Sequence, residues 1–145
     1  MATAGYINSV QEIFIAYYGR PADPAGLEYW VGRLAAENGN LDAIIDAFAY
    51  SPEALALYGP INDDSIGTVI DSIYMSLFNR MPDEAGKAWY EAEFAAGRLT
   101  SGEIALAILD GAQNGDLTII NNKLGVAVRF TTELSSSGRQ GIRTL

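Results

Sequence analysis

Two stretches of this chain align without a gap at an offset of 60 residues. Tyr17-Tyr18-Gly19-Arg20-Pro21-Ala22-Asp23-Pro24-Ala25-Gly26-Leu27-Glu28-Tyr29-Trp30 lies over Leu77-Phe78-Asn79-Arg80-Met81-Pro82-Asp83-Glu84-Ala85-Gly86-Lys87-Ala88-Trp89-Tyr90. Arg, Asp, Ala and Gly recur at the same places, and each stretch ends in an aromatic pair. The residues before them match in type: Val10, Ile13 and Phe14 against Ile70, Ile73 and Tyr74. A repeated supersecondary unit of this size buries its apolar face by stacking on its neighbour, which points to paired helical units.

Each copy reads as helix, tight loop, helix. Ile7, Val10, Phe14 and Tyr17 recur at the three-to-four spacing of one apolar helix face. Gly19 stops that helix, because glycine tolerates the left-handed cap. Asp23 before Pro24 is an N-cap followed by proline in the first turn, and Leu27, Trp30, Val31 and Leu34 form the next face. After Gly39-Asn40 a helix is expected over about 42–50, and Ser51-Pro52-Glu53 caps a short one to about Tyr58. Gly59-Pro60 separates the copies. In the second copy Asp64 or Ser65 caps a helix to about Phe78, Asp83 one to about Ala96, and Ser101 one to about Ala112. Asn114-Gly115-Asp116 reads as a turn, and 117–134 as the last helix, with Ile120, Leu124, Ala127 and Thr131 on one face. No segment alternates at period two, so no strand is expected. The expected fold is all-α: a compact orthogonal bundle of about seven or eight helices in one domain over 1–134, with repeat one at about 6–58 and repeat two at about 64–134. The polar, basic residues 135–145 read as a flexible linker or appended tail.

Composition narrows the chemistry. Hydrophobic residues make up 49% of the chain and charged residues 19%, a globular balance. No apolar run reaches the roughly 18 residues that a membrane helix needs, so membrane insertion is not expected. All 18 acids but only seven of the nine bases precede residue 135, leaving a net charge of -11 there. Such a surface repels phosphate backbones, which argues against nucleic acid as a partner. Cysteine and histidine are both absent, which removes disulfides, thiolate chemistry and the commonest metal ligand and general base. The two lysines, Lys87 and Lys123, lie in no Ser-Lys dyad context, and no pair of carboxylates stands out as glycosidase-like. The chain is therefore expected not to be an enzyme.

At its two aligned segments the chain resembles a bacterial family of unknown function. That family's motif runs aromatic, Gly, Arg, Pro, Asp, Gly, and a closing Tyr-Trp or Trp-Trp pair. Gly19, Arg20, Asp23, Gly26, Tyr29 and Trp30 follow it in the first copy, and Arg80, Pro82, Asp83 and Gly86 in the second. Asn79 replaces the usual Gly, Pro21 is displaced, and Trp89-Tyr90 reverses the aromatic order. The resemblance spans about residues 6–134. It implies a secreted bacterial protein of the RTX or S-layer kind, exported without a cleaved N-terminal signal, by a type I route. It also implies that such a helical N-terminal region anchors its protein to lipopolysaccharide. A looser likeness is to phycobilisome linker domains, which are helical and bind proteins.

The candidate ligand-binding residues are Arg20, Asp23, Tyr29, Arg80, Asp83 and Tyr90. Adjacent residues on a helix point about 100° apart, so one ring of each aromatic pair faces inward and the other is free to stack on a sugar or a partner. The plainer structural reading has each Asp capping its helix and each Arg pairing with that Asp or with orphan carbonyls. Trp30 is the ring expected to be mostly buried. Asn62, Asp63 and Asp64 gather oxygens that could hold calcium, although the full loop pattern for that ion is missing. Two functional classes follow: an attachment module that binds cell-surface glycan such as lipopolysaccharide, with calcium possible, or an assembly module that joins like subunits.

Overall fold

The structure, a computed structural model, describes the backbone of residues 2–144 and the side chains of residues 5–134. Helix α1 (Ala2–Tyr18) carries the expected apolar face, with Val10, Phe14 and Tyr17 buried. It also buries Gln11, Ile13, Ile15 and Ala16, so its C-terminal half is covered on every side. It packs against α2 (Pro24–Ala36), α3 (Asp42–Ala49), α4 (Pro52–Tyr58), α5 (Ile66–Phe78), α7 (Ser101–Asp110) and α8 (Asn114–Thr144). Helix α6 (Glu84–Ala95) lies against α5 and has no fully buried residue.

The repeat is visible in the helix order. α1 ends at Tyr18 and α5 at Phe78, 60 positions on. α2 and α6 follow the two loops. In α3, Ile44, Ile45 and Phe48 are buried, and Ile104, Ala105 and Ile108 occupy the same offset in α7. α1 packs on α5, and α3 on α7, so each copy covers the other. The core is the all-α bundle that the repeat implied, with no strand among the described residues.

Helix starts are set by side-chain oxygens that accept orphan N–H groups. Asp23 accepts from Gly26 N at 3.2 Å, and Ser51 from Ala54 N at 3.1 Å, as expected. One start has a different cap from the sequence reading, and two keep the expected residue without its side-chain bond. Thr100, not Ser101, caps α7, in a reciprocal box with Glu103. Ser65, one of the two residues expected, stands at the N-cap of α5 but makes no side-chain bond into the helix; in the turn before it Asn62 Oδ1 accepts from Asp64 N and Ser65 N, and Ser65 Oγ accepts from Asn62 N. Asp83 precedes α6 but makes no capping hydrogen bond.

Helix α8 is the largest departure. It begins at Asn114 rather than after a turn there, and it runs to Thr144. The expected inward face is present: Ile120, Ala127 and Thr131 are buried and Leu124 is partly so. The side chains of 135–145, where a linker was expected, lie outside the described residues. A buried polar latch joins α8 to the first copy. Gln11 Nε2 donates to Thr131 Oγ1 at 2.8 Å, Gln11 Oε1 accepts from Ala22 N at 2.9 Å, and Thr131 Oγ1 donates to Ala22 O. Every polar group of this fully enclosed set has a partner, which is what keeps burying it from being costly.

Candidate functional site

Each copy builds one corner where its first helix ends. At the first, Gly19 leaves α1 with φ 66°; at the second, Asn79 leaves α5 with φ 59°. This left-handed step is open to glycine and next best to asparagine. It turns the following arginine back over the helix it has just left. The Arg20 guanidinium lies 5.3 Å from the Phe14 ring centre and 5.6 Å from Tyr18, and that of Arg80 lies 5.2 Å from Tyr74, the residue equivalent to Phe14.

Both guanidiniums then close a bidentate pair, but not with the aspartate three residues on. Arg20 Nε and Nη2 donate to Glu53 at 2.8 and 2.5 Å, and Arg80 Nε and Nη2 donate to Asp116 at 2.9 and 2.7 Å. The Nη1 groups donate to Pro21 O and Met81 O. Arg20 reaches Asp23 only at 4.0 Å, and Arg80 forms no ion pair with Asp83. The expected pairing within the motif is thus corrected: each arginine ties its loop to the first turn of the copy's fourth helix, α4 or α8. Sequence reasoning missed Glu53 and Asp116 as partners. The available signal was that each is an acid at a helix N-terminus, where the dipole favours it. The Arg80 bonds hold the Asp116 carboxyl below its usual range.

The aromatic pairs resolve in one consistent way. The first ring of each pair faces out: Tyr29 is 56% exposed and Trp89 55%. The second ring packs inward, with Trp30 4.2 Å from Phe48 by ring centres and Tyr90 against the core. The sequence reading chose Trp30 as the inward ring, and it is. For the second copy it chose Tyr90 as the candidate contact, and the reversed order of that pair puts Trp89 outside instead. Position in the helix, not ring type, decides which ring is wet. Tyr29 is held by Arg33, whose Nη1 donates to the Tyr29 hydroxyl at 3.0 Å and whose guanidinium lies 5.8 Å from its ring centre.

Asp23 and Asp83 are both exposed. Asn62, Asp63 and Asp64 are exposed too, and the Asn62 carboxamide oxygen is occupied by its capping bonds. Among the described residues no group of three His, Cys, Asp or Glu is arranged to hold a metal ion, and no helix is long and apolar enough to cross a membrane. The arrangement therefore offers two exposed rings at equivalent positions, each on a rigid helix, beside structural arginine corners.

No curated protein and no solved structure matches the chain. Residues 4–58, from the first turn of α1 to the end of α4, match the model of a family described as a domain of unknown function (DUF4214).

Proposed function

We propose that this chain is a non-catalytic attachment module of a larger secreted bacterial surface protein, of the RTX or S-layer kind, and that it anchors that protein to cell-surface glycan such as lipopolysaccharide. The observation that carries the reading is the pair of outward rings, Tyr29 and Trp89. Each stands at the same position of its copy, and each is more than half exposed although large aromatics are normally covered. A flat exposed ring on a rigid helix stacks on the C–H face of a sugar at little cost in conformational entropy. Two of them on one domain allow two weak contacts to act together, which raises avidity without any new contact. The match of the first copy to the DUF4214 model supports the kinship from which the secreted setting is drawn.

The test is co-sedimentation of the purified chain with lipopolysaccharide, with and without a calcium chelator. Wild type is expected in the pellet, and Tyr29→Ala with Trp89→Ala is expected in the supernatant with its helical circular dichroism intact. Wild type that stays in the supernatant in both buffers rejects the reading. Assembly is favoured instead by one feature: Val126, Phe130 and Leu134 on α8 are exposed at spacings of four, an apolar line without a partner among the described residues. Oligomers that grow with concentration and vanish in Phe130→Ser would support that second reading.

A further inference from the structure

The two outward rings stand at equivalent positions, but the residue one helical turn beyond each is opposite in charge. Four residues past Tyr29 comes Arg33, and four past Trp89 comes Glu93. Residues four apart share a helix face, so each ring has an ionisable neighbour. In the second copy that neighbour is already matched. Arg98 Nε and Nη2 both donate to Glu93 Oε2, at 2.9 and 2.7 Å. In the first copy it is open. Arg33 is exposed, and no carboxylate of the described residues, Glu37 on the next turn included, lies within ion-pair distance of it.

Arg33 is nonetheless held against the ring. Its guanidinium lies 5.8 Å from the Tyr29 ring centre and 5.4 Å from that of Trp30, and its Nη1 donates to the Tyr29 hydroxyl at 3.0 Å. Its other N–H groups have no acceptor among the described residues. The Tyr29 hydroxyl accepts that bond and keeps its own proton to donate. A cationic N–H donor and a phenolic O–H donor thus sit 3.0 Å apart at the edge of a ring that is 56% exposed. Gly32, three residues past the ring on the same face, carries no side chain, and a Cβ there would meet nothing within 4 Å. The approach to the ring from that side is open.

We infer that Tyr29 and Arg33 form a subsite for an anionic sugar residue. The sugar stacks on the Tyr29 ring, its carboxylate or phosphate accepts from Arg33 and the Tyr29 hydroxyl, and the Trp89 ring takes an uncharged sugar. The mixture of groups decides the class. A simple anion such as acetate would leave the ring uncovered, and an uncharged sugar would forgo the short, strong bonds that a guanidinium makes to an anion. Beside Trp89 an anion would meet the Glu93 carboxylate and find its arginine taken. The chain carries a net charge of -9, so its overall field disfavours anions, and a preference for one at Tyr29 has to come from Arg33. The inference rests on the glycan reading above and names the sugar chemistry of one of its two contacts.

The test is an amide-shift titration of the isotope-labelled chain with sodium glucuronate, glucose 6-phosphate, glucose and sodium acetate at equal ionic strength. At least one of the two anionic sugars is expected to shift Tyr29, Gly32 and Arg33 with saturation, and which of them does so tells a carboxylate from a phosphate source. Glucose and acetate are expected to bind there about tenfold more weakly, for want of the charge-assisted contact or of the stacked ring. At the Trp89 amide glucose is expected to bind at least as tightly as either anion. Arg33→Gln, at an exposed position, is expected to bring the anionic sugar down to the level of glucose and to leave glucose itself unchanged. Arg98→Gln is expected to leave the Tyr29 amide titration as in wild type. Absence of saturable shifts at Tyr29, glucose bound there as tightly as both anions, an anion preference that survives in Arg33→Gln, or the same preference at Trp89 overturns the inference. If that happens while the chain still sediments with lipopolysaccharide, this subsite falls and the attachment reading stands. Saturation by an anionic sugar without sedimentation supports the subsite and rejects the attachment reading.

Discussion

The two copies reach the same corner by different means. In the first, hydroxyls and a cap close it. Tyr18 Oη lies 2.8 Å from Ser51 Oγ and 3.2 Å from Phe48 O, Tyr58 donates to Tyr17 O, and Asp23 caps α2. A Cβ on Gly26 would sit 2.7 Å from Asp23 Oδ1, so a larger residue there would push against the carboxylate that caps α2. In the second copy Phe78 replaces Tyr18, Leu77 replaces Tyr17, Asp83 caps nothing, and a Cβ on Gly86 would meet nothing within 4 Å. Of the bonds that close the corner, only the arginine clamp is held in common. The copy that matches the family model is the fully closed one. The copy that has loosened is the one whose fourth helix has grown from the seven residues of α4 to the 31 of α8. A long helix that packs on α1, α2 and α5 replaces the local bonds with distant ones.

The largest effect expected from this contrast is in the core. Phe48 carries the rings of Phe14, Tyr18 and Trp30 around it, with centres 4.2–5.8 Å away, whereas its counterpart in the second copy is Ile108. Phe48→Ala is expected to cost about 3–5 kcal/mol and Ile108→Ala about 2–3 kcal/mol in denaturant unfolding. Trp30 fluorescence should change in the first variant alone. Equal costs would mean that the aromatic cluster adds nothing beyond volume.

Next come the two left-handed steps. Gly19→Ala puts a Cβ at positive φ and 3.3 Å from Ser76 Oγ, and is expected to lower stability by about 1–2 kcal/mol. Asn79→Gly relieves the backbone but removes the Lys123 acceptor, and is expected to fall within about 0.5 kcal/mol of wild type. If Gly19→Ala proves harmless, the first corner is not the tighter one.

Adjacent tyrosines give a finer cut, because the two hydroxyls differ in satisfaction. Tyr18→Phe makes the first copy like the second and removes bonded oxygen, for an expected loss of about 0.5–1.5 kcal/mol. The Tyr17 hydroxyl is fully buried beside Ser101 but out of hydrogen-bonding geometry with it. Tyr17→Phe, the step toward Leu77, is therefore expected to be neutral or to stabilise by up to about 1 kcal/mol. Side by side, the thermal midpoint should fall for Tyr18→Phe and hold or rise for Tyr17→Phe.

The bundle was legible because helical period, glycine stops and an ungapped repeat all report on local backbone. α1, α3 and the inward face of α8 fell where those signals put them. What stayed hidden depends on through-space partners. Arg20 and Arg80 each have an aspartate three residues on in sequence, yet the left-handed turn at Gly19 and Asn79 aims them at Glu53 and Asp116, 33 and 36 residues away. The α7 cap lies one residue earlier for a related reason: Thr100 and Ser101 are equally able acceptors, and loop geometry selects between them. The outward ring of the second copy is Trp89 rather than Tyr90 because helix position, not ring type, decides which side chain is wet.

The shared clamp is the smallest term and is separable by pH. Hydrogen bonds from Arg80 lower the folded pKa of Asp116 below its ordinary value of 3.8. A carboxyl lowered on folding contributes stability above its unfolded pKa and loses it as pH falls through the folded one. Because the Arg80 side chain is 40% exposed, solvent screening holds the contribution to about 0.2–1 kcal/mol. Asp116→Asn should therefore be less stable than wild type by that amount near pH 6, and the gap should close as the pH drops below 3.8. Glu12 runs the other way: burial, helped by Asp110, raises its folded pKa above 4.5. Its charged form weakens the fold above that range, and protonation on acidification recovers what is lost. Glu12→Gln should then be more stable than wild type near pH 6, with the gap shrinking toward pH 4. Urea midpoints for both variants across that range test the signs together. If the Asp116→Asn gap persists below pH 3, the second corner's clamp acts through packing of the α8 first turn rather than through charge.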